Sequence, residues 1–128
     1  MSSSILVVDS SEIRAGKLGD VKAGVEELVA FVEANEVEPL AYDVYFDEAG
    51  TQMTVVQIHP DSASLERHLT VAGPVFRRFA ELLTLVRVDV YGSASEAALE
   101  QIRGKAQLLG NAPVRVHELH AGFERFER

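Results

Sequence analysis

The chain has 128 residues and four histidines, and one of these, His68, stands where a proton could be moved. It follows Leu65 by three residues and precedes Phe76 by eight. That spacing places it on the apolar stripe of a helix, facing a sheet. A histidine beside an apolar cavity can accept a phenolic proton, because imidazole titrates near neutrality. The position suits equally a histidine that only hydrogen-bonds a neighbouring carbonyl or strand side chain. Tyr42 and Thr54 fall on the helix-facing side of a hairpin and could each offer a hydroxyl to the same space. Tyr42 also reads as a core aromatic with its hydroxyl satisfied. Phe76 and Phe79 could stack on a planar ligand, or simply fill the core.

Other chemistries find less support. The chain has no cysteine, which removes disulfides, thiolate zinc and a thiol nucleophile. His59, His68 and Asp61 match no metal-ligand spacing, so no metal site is expected. His117 and His120 are expected at the surface. Gly16, Gly19 and Gly24 make no phosphate cradle, and no activated serine stands out. Asp43, Asp47 and Glu48 read as a solvated edge and turn. The net charge of −8 disfavours nucleic acid and acidic membranes as partners. No run reaches the roughly 18 apolar residues of a membrane span, and the first residues lack the basic start of a signal peptide. The expected location is the cytoplasm.

Stepping along the chain, Ile5–Val8 reads as a first strand, followed by a polar connection over Ser10–Gly16. Leu18, Val21, Val25, Leu28, Val29 and Val32 form one stripe of a helix over about Lys17–Asn35, with Gly24 inside it. Pro39 opens a strand that alternates to Asp47. A three-residue loop with Gly50 in the left-handed region would pair Asp47 with Thr51. The register then sets Leu40, Tyr42 and Val44 opposite Ile58, Val56 and Thr54, all on the helix-facing side. Asp61 or Ser62 can cap a second helix bearing Leu65, His68, Leu69, Ala72, Phe76, Phe79 and Leu83. Gly73-Pro74 in its middle predicts a kink or two short helices. Thr84–Tyr91 is a strand with Val86, Val88 and Val90 on one face and Leu85, Arg87, Asp89 and Tyr91 on the other. Ser95 can cap a third helix with Ala98, Leu99, Ile102, Ala106 and Leu109 inward, ended by Gly110-Asn111. Val114–Leu119 is a last strand.

This order predicts an α+β fold: a ferredoxin-like βαββαβ unit with an additional helix and strand, forming one domain over 1–128. The sheet face away from the helices is expected to carry Tyr45, Met53, Val55, Leu85 and Tyr91 among Asp43, Gln57, Arg87 and Asp89. So many apolar groups predict a cover, either a second copy in a homodimer or the chain's own third helix or tail.

Ile13-Arg14-Ala15-Gly16-Lys17-Leu18, and His59-Pro60-Asp61-Ser62-Ala63-Ser64-Leu65-Glu66-Arg67-His68-Leu69 followed by Phe76 and Phe79, resemble the antibiotic-biosynthesis-monooxygenase-like family of dimeric α+β barrels. The likeness covers about residues 3–92. It implies a dimeric barrel with a pocket between sheet and helices in each subunit. Some members oxidise polycyclic phenols or quinols with O₂ and neither metal nor flavin, so no cofactor is expected. Relatives cleave haem, and the absence of Trp counts against that branch. The resemblance thus implies a cofactor-independent monooxygenase acting on a planar aromatic phenol or quinol. His68 would be its proton acceptor, and Tyr42, Thr54, Phe76 and Phe79 would contact the substrate. Two other readings stay open: a non-catalytic dimeric module binding a small apolar ligand, and a purely structural dimer.

Overall fold

Alternating exposure along Ile5–Ile13 shows a strand, β1, that continues well past its apolar start. The computed structural model describes residues 4–126. Ile5, Val7, Asp9 and Ser11 all point inward, so the expected polar connection is in fact the second half of this strand. There follow α1 (Leu18–Asn35), β2 (Ala41–Phe46), β3 (Gln52–His59), α2 (Ser62–Phe76), a 3₁₀ turn (Arg77–Phe79), β4 (Leu83–Tyr91), α3 (Glu96–Leu108) and β5 (Val114–His117). The sheet order is β2-β3-β1-β4-β5. All neighbours are antiparallel except β4 and β5. The fold is α+β and ferredoxin-like, with the extra helix and strand appended.

The helix stripes face one side of this sheet. Val21, Val25, Leu28 and Val32 of α1, Leu65, Leu69 and Ala72 of α2, and Ala98, Leu99, Ile102 and Ala106 of α3 are buried with Ile5, Val7, Val88 and Val90. Each such Val or Leu contributes about 1.5–3 kcal/mol. The helix caps are Asp61, which accepts from the Ser64 N–H, and Ser95, which accepts from the Ala98 N–H.

Three expectations need correction. The β2–β3 loop holds one residue more than a three-residue turn: Asp47 pairs with Gln52, its carboxylate accepting from both the Thr51 and Gln52 N–H groups. Those bonds, and one from the Thr51 hydroxyl, hold the Asp47 carboxyl below its usual pKa. Gly50 takes the left-handed conformation, with φ of 70°. The single-residue slip turns β3 over. Tyr45 rather than Val44 lies opposite Thr54, so Thr54, Val56 and Ile58 leave the helix-facing side, and Met53, Val55 and Gln57 take their place. In β4 the register shifts between Ser10 and Ser11 of β1, with Val86 as the extra residue. Leu85 therefore points inward with Val88 and Val90, while Val86 is exposed. Finally, α2 runs unbroken through Pro74. Gly73 has no Cβ to meet the proline ring, so the residue before proline can stay helical, and the helix ends two residues beyond it.

Two other helix glycines differ in kind. A Cβ on Gly24 would stand 3.1 Å from the Phe79 ring, whereas one on Gly104 would meet nothing within 4 Å. Gly104→Ala should therefore raise stability by about 1 kcal/mol, as helix propensity dictates, and Gly24→Ala should gain less or lose. Urea unfolding midpoints of the two variants check this.

Candidate active site

The interior between sheet and helices is not uniformly apolar. His68 is fully buried, and its Nδ1 lies 3.0 Å from both carboxylate oxygens of Glu36. Glu36 follows the last residue of α1: its N–H still bonds the Val32 carbonyl, while its own backbone is extended. The chain thus leaves the helix with this side chain turned inward, and Glu36 is only 7% exposed. A carboxylate only accepts, so Nδ1 of His68 carries the hydrogen. In the neutral ring Nε2 then bears the lone pair, and it is the one buried side-chain polar atom among the described residues without a hydrogen-bond partner. This is the orienting logic of a carboxylate–histidine pair, in which one nitrogen is fixed so that the other is a base.

Three rings pack around His68: Tyr42 at 5.1 Å between centroids, His59 at 5.5 Å and Phe76 at 5.5 Å. His59 is already committed. Its Nε2–H donates to the Gln57 amide oxygen and the Ser64 hydroxyl donates to its Nδ1, both at 2.8 Å. Burial, with the neighbouring His68 second, pushes the His59 pKa down to about 4, against a smaller opposing pull from Asp61. The Tyr42 pKa is raised above its ordinary value by burial, then by the charges of Asp9 and Glu36. Its hydroxyl therefore keeps its proton and can donate.

An ion pair lies on the other side of Tyr42. Lys105 Nζ stands 3.4 Å from Asp9 Oδ2 and 4.1 Å from the centre of the Phe76 ring. Asp9 is 3% exposed. Asp9, Ser11, Tyr42, Phe76, Phe79 and Lys105 are among the residues around an inner cavity of about 30 Å³. That is space for a water or two. His68 sits behind the Tyr42 and Phe76 walls and does not itself line the cavity.

The structure thus gathers four of the five residues singled out from the sequence. His68, Tyr42, Phe76 and Phe79 converge, whereas Thr54 lies on the opposite sheet face and cannot reach them. Glu36, Asp9 and Lys105 were not anticipated. Asp9 continues the inward alternation of Ile5 and Val7, and Lys105 falls between Ile102 and Leu109 on the α3 stripe, so periodicity carried a signal for both. Glu36 lies 32 positions from His68, and nothing local marks it. On the open face, His117 bonds Asp89 at 2.9 Å and stacks on Tyr91. Among the described residues no group of His, Asp and Glu is arranged to hold a metal ion, and no helix is long and apolar enough to cross a membrane.

The α+β fold that encloses this polar interior is shared with solved structures, one of them described as a putative antibiotic biosynthesis monooxygenase. Three of the solved structures that match illustrate the likeness. MupZ from Pseudomonas fluorescens matches with a TM-score of 0.76 and 23% identity, over 98% of this chain and 91% of that one. A Caulobacter crescentus protein described as a putative antibiotic biosynthesis monooxygenase matches at 0.64 and 16%, over 73% and 92%. SnoaB, a cofactor-independent oxygenase from Streptomyces nogalater, matches at 0.62 and 12%, over 73% and 96%. No family model and no curated protein sequence matches the chain.

The low pKa of His59 has a measurable consequence. Between about pH 6.5 and 4 the unfolded chain binds a proton at this residue that the folded protein does not. The His59 contribution to stability should be lost on acidification through that window, by roughly 3 kcal/mol in all, with further loss below it coming from carboxylates such as Asp47. Urea titrations from pH 7 to 4 should show this loss, and His59→Gln should flatten the profile.

Proposed function

We propose that the chain, as one domain over 1–128, is a cofactor-independent oxygenase acting on a planar phenol or quinol, with His68 as its general base. The observation that carries this reading is the buried Nε2 of His68, unpartnered and fixed by Glu36 on the opposite nitrogen. Proton removal makes the aromatic anion electron-rich enough to reduce O₂. The substrate supplies the electrons, one oxygen atom enters the product and the other leaves as water. Tyr42, kept protonated, can donate to a substrate oxygen, and Phe76 and Phe79 offer ring faces. The fold likeness to SnoaB, a cofactor-independent oxygenase, supports the class of chemistry. It does not name a substrate.

A homodimer is part of the proposal. The sheet face away from the helices carries exposed Tyr45, Val86 and Tyr91, with half-buried Leu6, Val8, Val56 and Ile58 between them. This set differs from the residues expected there, but it is as apolar. A second reading, a purely structural dimer, is favoured by the size of the inner cavity, which takes a water or two and neither an aromatic ring nor a small apolar ligand as it stands; the non-catalytic binding module would need it to open.

Oxygen uptake with a panel of naphthoquinols and anthrones tests the first reading. His68→Ala should lower the rate by about 10²–10⁴-fold, the usual worth of a general base, and an unchanged rate removes the role. Ligand-dependent thermal stabilisation with no oxygen uptake would instead select the binding module. Sedimentation equilibrium should give twice the 14.0 kDa chain mass, and Tyr45→Glu with Val86→Glu should give the single mass.

A further inference from the structure

Outside the inner cavity a groove of about 610 Å³ runs between α2 and α3. The two spaces share two wall residues, Phe76 and Lys105. Toward their N-termini the helices are tied together: the Ser62 hydroxyl accepts from the Ser95 N–H, the Ser95 hydroxyl donates to Glu66, and Gln101 donates to the Thr70 hydroxyl. One turn further, Gly73 and Gly104 flank the groove. Gly73 has a local reason in Pro74, but Gly104 has none in packing, since a Cβ there would meet open space. A glycine at this point leaves the groove wide.

Lys105 fits the part of a movable partition. Its stem is long and flexible, its ammonium rests on the Phe76 ring, and its side chain keeps 15% exposure where Asp9 keeps 4%. Swinging it outward would join groove and cavity but would strand the buried Asp9 carboxylate without its cation. The opening is therefore favoured only by a molecule that replaces what is lost. It must donate a hydrogen bond to Asp9 and accept one from Lys105, through two atoms close enough to bridge a pair 3.4 Å apart.

We propose that the α2–α3 groove is the entrance to the interior and that Asp9 and Lys105 select aromatic ligands bearing two adjacent oxygens, at least one of them a hydroxyl. This rests on the oxygenase reading for the aromatic class only, because binding is measurable without turnover. Phe76 supplies the ring contact at the partition, and Tyr42 lies beyond it, beside His68.

The test uses 2,3-dihydroxynaphthalene and its dimethyl ether, which has no donor, in calorimetric titrations of the full chain. The diol should bind about tenfold or more tightly than the ether, as expected for hydrogen bonds to charged groups. Lys105→Met should erase that preference. Gly104→Leu, which fills the groove from a position with free space, should weaken the diol by about tenfold or more while the urea midpoint holds or rises. Equal affinity for diol and ether, or wild-type affinity in both variants, overturns the proposal. The two readings fail separately. Diol binding that depends on Lys105 and Gly104 with no oxygen uptake by any quinol leaves this entrance standing and removes the oxygenase. Oxygen uptake that neither variant alters removes the entrance and leaves the oxygenase.

Discussion

A carboxylate–histidine pair and an ion pair are enclosed between the sheet and the helices, and the placement of the surrounding elements follows from the need to keep both intact. A buried carboxylate without its partner costs several kcal/mol, enough to matter against the whole stability of a small domain. Glu36 with His68 fastens the end of α1 to the middle of α2. Asp9 with Lys105 fastens β1, the central strand, to the last turn of α3. Burial, and then the field of both carboxylates, keeps the Tyr42 hydroxyl protonated. Apolar packing holds these elements together, but it tolerates sliding by a fraction of a turn. The Glu36–His68 pair does not, because hydrogen-bond geometry is lost over a few tenths of an ångström.

The helices were legible because their period is long and redundant. Five inward positions along α3 and its C-cap, Ala98, Leu99, Ile102, Ala106 and Leu109, must all slip together before a helix is misread, and Ser95 and Asp61 mark two helix starts by their own chemistry. Strand faces lack that redundancy. With a period of two, one loop residue inverts a whole strand, and here the choice between a three- and a four-residue loop rests on the carboxylate of Asp47. Val86 shows the same sensitivity at a bulge. The polar interior was hidden for a different reason. Asp9 and Ser11 obey the alternation of β1, yet their polarity reads as the end of a strand until a partner such as Lys105, 96 positions away, is in view.

The fold by itself says little about chemistry. Structures that share it at 12% to 23% identity carry different names and descriptions, and side chains at such distances are mostly replaced. What this chain does must therefore come from its own interior. Of the residues there, His68, Tyr42 and Phe76 form a continuous set of ring contacts, and Phe76 also touches the Lys105 ammonium. One aromatic side chain thus stands between His68 and the Asp9–Lys105 pair, and a ligand that displaces it would reach both.

Stability does not account for this arrangement. A well-packed apolar quartet in place of Asp9, Lys105, Glu36 and His68 would be neutral or stabilising, since the attraction within a buried pair seldom exceeds what desolvation takes away. The small cavity beside Tyr42 adds a further cost, as its lining atoms lack contacts on one side. Local rules are broken together at one place: charges on inward positions of β1 and α3, an unpartnered imidazole nitrogen, and a helix glycine with space to spare at Gly104. Each gives up stability, and their gathering in one region of the interior and its adjoining groove is what a site built for chemistry or binding requires.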